Sequence, residues 1–195
     1  LMRFTRDGLL TAILVVAALF VGSTLTQYLP KPDDFRDDPF PVAGAFGEPV
    51  RLRNADITVT KVQAARTVEL FGQVAATDGV WLVLDVTYAP RHEPGVLVGS
   101  QPLLSAPDGR RFGGLQAITN NCGPANPGLP VACQLPIEVP ADALEGLVLT
   151  IPAENGQWEN DEVTEIDLGI TAERAAELRA SEAQVTLQEP TVVRP

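Results

Sequence analysis

The sequence predicts an all-β fold: an antiparallel β-sandwich of about seven strands, preceded by a single N-terminal transmembrane helix and followed by a short C-terminal helix. Three observations support this. No residue from Gly8 to Pro30 is charged. From residue 50 onward, apolar and polar residues alternate with the period of a half-buried strand. Turn residues recur about every eight to twelve positions up to residue 170, without a helical pattern between them.

Composition excludes several classes of function. The 195 residues carry a formal net charge of −11, with 14 basic and 25 acidic residues. Nucleic-acid binding requires clustered positive charge, so we expect no nucleic-acid partner. His92 is the single histidine, which rules out a multi-histidine metal site. We expect no cofactor and no metal.

The apolar N-terminal run is long enough for a membrane anchor. About twenty helical residues cross the hydrocarbon layer, so residues 8–29 are predicted to be a transmembrane helix. Its far end is more polar, beginning at Ser23 and Thr24. A cleaved signal peptide is the alternative, although Val21-Gly22-Ser23 is a weak cleavage site.

Flanking charge sets the expected orientation. Arg3 and Arg6 precede the apolar run, and the next basic residue is Lys31. The positive-inside rule therefore predicts a cytoplasmic N-terminus at residues 1–7 and an extracytoplasmic location for residues 30–195. That exported part carries nearly all of the acidic residues.

Residues 30–49 are predicted to form an extracytoplasmic linker. Five prolines and paired aspartates favour an extended, semi-rigid and solvated spacer over a calcium site. Phe35 and Phe40 lie within it, and aromatic residues in a linker usually contact another surface. That surface could belong to the domain itself or to a partner.

Residues 50–170 are predicted to form the sandwich. The segment at 80–89 is rich in apolar residues and predicts a central strand that is buried on both faces at its start, with Trp81 in the core. Asp108-Gly109 predicts a hairpin turn.

Residues 171–195 are predicted to form a short helix and a tail. Thr171 is a suitable helix cap, with Glu173 in the first turn and Arg179 in the last. The tail is expected to be either one more strand or disordered.

The two cysteines, Cys122 and Cys133, flank a loop rich in glycine and proline. In an exported chain this arrangement predicts one structural disulfide. Redox or metal chemistry is the weaker alternative, because the spacing is not Cys-x-x-Cys and one histidine cannot complete a tetrahedral site.

Four segments occur in order: VRLRNADITVTKVQ, VWLVLDVTYAP, LLSAPDGRRFGG and IEVPADALEGLVLTI. With them the chain resembles a family of bacterial membrane-anchored proteins of unknown function, many of which carry the misleading label "telomeric repeat-binding factor 2". The secreted mycobacterial immunoprotective antigens have a similar sandwich. The resemblance covers residues 48–170 and implies an immunoglobulin-like extracellular domain on a tether, with no catalytic residue. The family usually has Asn where this chain has Ala89-Pro90, so the next loop is expected to differ.

The chemistry-bearing residues do not form a recognisable catalytic motif. His92 lies in a predicted loop and is expected to be a solvated residue, and no nucleophile elbow is present. Trp158, in a polar turn beside Glu159 and Asp161, is either a partner contact or a cover for the core edge. Ala18 and Gly22 form a small face that is suited to pack on another membrane helix.

These features predict a protein that is not an enzyme. We expect a membrane-tethered extracytoplasmic interaction module. Its expected partners are the lipid bilayer, through residues 8–29, and another integral membrane or cell-envelope protein. Its expected role is that of an accessory subunit of a transporter or a cell-wall assembly. The alternative is a binding protein for a lipid, sugar or peptide that feeds a neighbouring membrane protein.

Overall fold

The structure is a computed structural model that describes residues 6–28, 39–153 and 161–193. The chain divides into two units between residues 38 and 39. The first contains one helix, α1 (Arg6–Tyr28), where the sequence predicts a helix. Among the described residues, no helix combines the length and the apolar character that a membrane crossing requires.

The second unit is built mainly of β-strands. Alternating apolar residues form the longest strands, because each strand buries one face against the core. The elements are β1 (Phe40–Ala45), β2 (Val50–Arg51), β3 (Ala55–Leu70), β4 (Gln73–Pro90), β5 (Gly95–Leu97), β6 (Leu103–Ser105), β7 (Arg111–Gly113), β8 (Cys122–Ala125), β9 (Val131–Val139), β10 (Val148–Thr150), β11 (Glu162–Asp167), α2 (Ala172–Arg179), β12 (Gln184–Thr186) and β13 (Thr191–Val192).

The strands form two principal sheets and one small one. The first sheet has the order β1-β11-β10-β6-β7, and the second has the order β12-β3-β4-β9-β13, with β2 also paired to β3. β5 and β8 form a two-stranded sheet. The predicted β-sandwich is confirmed, but two of its pairs, β1 with β11 and β12 with β3, are parallel.

The main core contains apolar side chains from both principal sheets. Leu82 and Leu84 of β4 join Leu149 of β10 and Ile166 of β11 in this core. Residues 80–84 are all buried, so the predicted central strand is confirmed, including the burial of both faces at its start.

Trp81 is buried, but not in the core between the sheets. It packs in a second cluster with Val68, Val83, Ile118 and Leu187. Successive strand residues point to opposite faces, and Leu82 occupies the inner one. The sequence-based placement of Trp81 in the sandwich core is therefore wrong, and the residue covers the outer face of the second sheet.

The sandwich begins earlier than the sequence predicts. Residues 40–45, within the predicted linker over 30–49, pair in register with β11, from Phe40 opposite Glu162 to Ala45 opposite Asp167. Proline is compatible with this strand because β1 lies at a sheet edge. Of the prolines that suggested a spacer, Pro41 therefore belongs to an edge strand.

The C-terminal segment follows its prediction and extends the sandwich. The Thr171 hydroxyl accepts a hydrogen bond from the Arg174 amide at 3.3 Å and caps α2. Of the two alternatives for the tail, the strand is confirmed, because β12 pairs with β3 and β13 pairs with β9. The second sheet is therefore completed by residues beyond 170.

Truncation to alanine should have very different effects on stability at two positions of β4, one in the main core and one exposed. Replacement of the fully buried Leu84 by alanine should lower the free energy of unfolding by about 2–5 kcal/mol, because it removes packed methyl groups and leaves a cavity. Val74→Ala, at an exposed position of the same strand, should change it by less than about 0.5 kcal/mol. Urea denaturation measures both, and equal losses would contradict the assigned core.

Candidate functional site

A pocket of about 420 Å³ opens at one end of the sandwich, where β3 begins and β4 ends. Asn54, immediately before β3, and Tyr88, near the end of β4, contribute to it. The segment 92–97 forms one wall, and Pro152 and Ala153 form another. Three separate parts of the chain therefore meet around one space.

Tyr88 is the most buried of the polar residues that line this pocket. Its ring belongs to the main core, and the residue is only 7% exposed. No hydrogen bond to a described residue contributes to the shift of its pKa. Burial raises the pKa of Tyr88 above its ordinary value, so the phenol is protonated at neutral pH and can both donate and accept.

Gly95 allows the loop backbone to approach the Tyr88 hydroxyl. A Cβ atom at this position would lie 2.4 Å from the phenol oxygen, which is closer than real contacts allow. The glycine is therefore required by packing, and a larger residue would displace either the tyrosine or the wall.

Asn54 places an unpaired acceptor beside the pocket. Its Nδ2 donates to the Ala153 carbonyl, and its own backbone carbonyl accepts from the Arg91 amide at 2.8 Å. Its Oδ1 is buried and has no partner among the residues that the structure describes. A buried acceptor without a donor costs about 1–3 kcal/mol, so this wall is not optimised for stability alone.

The charge at the pocket is acidic. Glu93 lines it, whereas no lysine or arginine is among its described lining residues. The adjacent Arg91 is paired with Asp56, with side-chain distances of 2.6 and 2.9 Å. Arg53, which precedes Asn54 in the chain, is likewise paired with Asp161, so both guanidinium groups adjacent to lining residues in sequence face a carboxylate.

The disulfide fixes the wall of this pocket. Cys122 on β8 is bonded to Cys133 on β9, with a Cα–Cα distance of 5.3 Å, as the sequence predicts. Cys122 also pairs with Leu97 of the pocket wall, and Cys133 pairs with Val86 of β4. The covalent bond therefore connects the short β5–β8 sheet to β9, the neighbour of the strand that carries Tyr88.

Phe40 is the one sequence-predicted contact residue that the structure describes in the β unit. It is exposed at the start of β1 and is not among the described lining residues of the pocket. Ala18 and Gly22 are exposed on α1. Phe35 and Trp158 lie outside the described residues.

The structure describes the surroundings of two further residues named from the sequence, His92 and Asp161. His92 is exposed, as expected, but it lies at the mouth of the pocket. Asp161 is buried and binds both Arg53 Nε and Nη2, at 2.8 and 2.9 Å, so this acid is a structural partner. Within residues 6–28, 39–153 and 161–193, no group of three or more His, Cys, Asp or Glu side chains is positioned to hold a metal ion.

Sequence reasoning missed Tyr88, Asn54 and Gly95 as site residues. Tyr88 continues the inward alternation of β4 and therefore reads as an ordinary core residue. Its special position depends on the loop at 92–97, whose path no local pattern in the sequence specifies.

Comparison with known proteins gives only distant similarity. Neither a family model nor a curated protein sequence matches this chain. The crystal structure of the yjhA protein from Bacillus subtilis is similar, with 15% identity and a TM-score of 0.43, covering 63% of this chain and 99% of the other. An uncharacterised β-sandwich protein from Clostridium difficile 630 has 13% identity and a TM-score of 0.41, covering 70% and 99% respectively. The resemblance to the membrane-anchored family stays a prediction.

The disulfide predicts a defined loss of stability. Replacing both cysteines by alanine should lower the free energy of unfolding by about 2–3 kcal/mol, because the unfolded chain loses a closed loop. The reduced natural chain should show the same loss in urea denaturation. Maleimide labelling of both cysteines in the folded, unreduced protein would contradict the assigned bond.

Tyr88 predicts a change at alkaline pH. Its folded pKa is raised, so its stabilising contribution is complete below about pH 10 and is lost as the pH rises through the folded value. Phenolate absorbance should show that Tyr88 titrates above the ordinary tyrosine range, and Tyr88→Phe should remove this late transition. A late transition that persists in Tyr88→Phe would assign it to Tyr28, the other tyrosine.

Proposed function

We propose that this chain is a non-enzymatic, membrane-tethered extracytoplasmic interaction module and an accessory subunit of a larger cell-envelope membrane complex. The supporting observation is the apolar surface of α1. Its seven large apolar side chains between residues 13 and 21 are from 52% to 75% exposed. A helix with such a surface requires cover from lipid or from protein.

The proposed extracytoplasmic location has two supports. Arg3 and Arg6 precede the charge-free run, which favours a cytoplasmic N-terminus. The bond between Cys122 and Cys133 suits an oxidising compartment, where disulfides persist. Both support a location of the β unit on the outer side.

Exposed apolar residues of the β unit support a binding role. Phe71 is 76% exposed and Leu115 is 95% exposed. Phe71 also has a φ of +51°, in the tight turn with Gly72 that joins β3 to β4. A non-glycine residue at positive φ is uncommon, and such strain persists most often at functional positions. We propose this turn as one partner contact.

Capture of a small ligand is the second candidate function. The pocket around Tyr88 favours it, because this polar residue lines an open space and the buried, unpaired amide oxygen of Asn54 adjoins it. In this alternative the β unit holds a ligand for a neighbouring membrane protein.

Purification from cells that make the protein tests the proposal. We expect the full chain in the membrane fraction after alkaline washing, its β unit accessible to external protease, and a stoichiometric membrane partner in mild detergent. Gly22→Leu should weaken partner recovery by enlarging the small face of α1.

Phe20→Leu is the matched control, because Phe20 lies about 200° around the helix from Gly22. Recovery that is unchanged in Gly22→Leu would remove the proposed helix contact. A β unit that is protected in intact cells and free in the cytosol would overturn the tethered module. A partner-free chain that carries a small molecule would favour ligand capture.

A further inference from the structure

The side chains that line the pocket around Tyr88 offer more acceptors than donors, although the His92 imidazole adds an N–H donor at the mouth. The Nδ2 group of Asn54 is already bonded to the Ala153 carbonyl, so the unmet capacity of this amide is that of an acceptor. The Glu93 carboxylate only accepts, and the Tyr88 hydroxyl can accept while keeping its proton. A ligand that supplies several N–H donors therefore complements these groups best.

The charge of the residues around the pocket further limits the class of ligand that it can bind. The pocket is lined by Glu93, by His92 at its mouth and by no described lysine or arginine. Arg91 and Arg53, which adjoin lining residues in the chain, are paired with Asp56 and Asp161. The whole chain carries a net charge of −11. A carboxylate or phosphate ligand would therefore meet repulsion without a compensating cation, whereas a cation would be attracted.

Apart from His92, the other described side chains that line the pocket are apolar. Pro94, Val96, Leu97 and Pro152 line it together with the Tyr88 ring. A volume of about 420 Å³ is within the range of small-molecule sites and accepts a ring or a short branched chain. The polar groups then select the head group of the ligand, while the apolar wall contacts its body.

We propose that this pocket binds a small organic amine, with its ammonium group at the Tyr88 hydroxyl and the Glu93 carboxylate and its apolar body against Leu97 and Pro152. This inference rests on ligand capture, the second candidate function, and names the chemical class of the ligand. An ammonium group carries donors and no acceptor, which matches the unpaired groups of the pocket.

Three probes that share one ring test the class: benzylamine, benzyl alcohol and benzoate. Each is titrated into the isotope-labelled full chain in neutral detergent, and the amide resonances of Tyr88, Gly95 and Leu97 are followed by NMR. Benzylamine should give saturable shifts at these residues, with an affinity at least about tenfold above that of benzoate. Benzyl alcohol should lie between the two.

Variants assign the binding to the named groups. Tyr88→Phe, which removes only the hydroxyl, should weaken benzylamine binding by about tenfold or more. Glu93→Gln should bring benzylamine close to benzyl alcohol. Glu145→Gln is the matched control, since this exposed glutamate follows the opposite end of β9, and it should leave all three affinities unchanged.

Gly95→Ala is an independent test, because its added methyl group would meet the Tyr88 oxygen and should reduce benzylamine binding. Benzyl alcohol or benzoate binding as tightly as benzylamine would overturn the amine class and leave ligand capture standing. A small molecule that co-purifies with the natural chain, without benzylamine binding, would have the same meaning. The absence of both would overturn ligand capture as well.

Discussion

The burial of β4 on both faces determines the rest of the β unit. Leu82 and Leu84 fill the space between the principal sheets, while Trp81 and Val83 pack on the outer face. A strand that is apolar on both sides requires cover from two directions. A slip of its register by one residue would turn the side chains of each face away from the residues they pack against. Pairing with β3 and β9 is thereby fixed along most of its length. The position of Tyr88 near its end follows from that register.

The disulfide extends this constraint to segments that lack a strong register of their own. β5 and β8 are short strands and form an isolated two-stranded sheet, which is marginal without further support. The bond from Cys122 to Cys133 attaches this pair to β9, the neighbour of β4. The wall of the pocket is therefore positioned by a covalent bond and its floor by core packing. This combination explains how loop residues can keep a defined position against Tyr88.

Local pattern was sufficient for the elements that depend on local chemistry. The alternation at 80–89, the Thr171 cap and the cysteine pair each identified a feature that the structure contains. Local pattern was insufficient where contacts between segments distant in the sequence determine the structure. Phe40–Ala45 becomes a strand only because β11 offers a parallel edge, and Tyr88 becomes a site residue only because Gly95 approaches it. Neither pairing leaves a signal within its own segment.

Two features of the β3–β4 hairpin that cost stability lie at its two ends. Phe71 holds a positive φ at the turn, and Asn54 leaves a buried oxygen unpaired beside Tyr88 at the open end. A third, the indole N–H of Trp81, is buried and unpaired among the described residues and lies between them on β4. A strand the length of β3 separates the two ends by about 50 Å, so they cannot serve one site. Each departure costs an amount that is substantial against a total stability of about 5–15 kcal/mol. Local conflicts that persist in a folded chain are expected at functional positions, which supports the proposed contact at the turn and the proposed pocket at the open end as two separate sites.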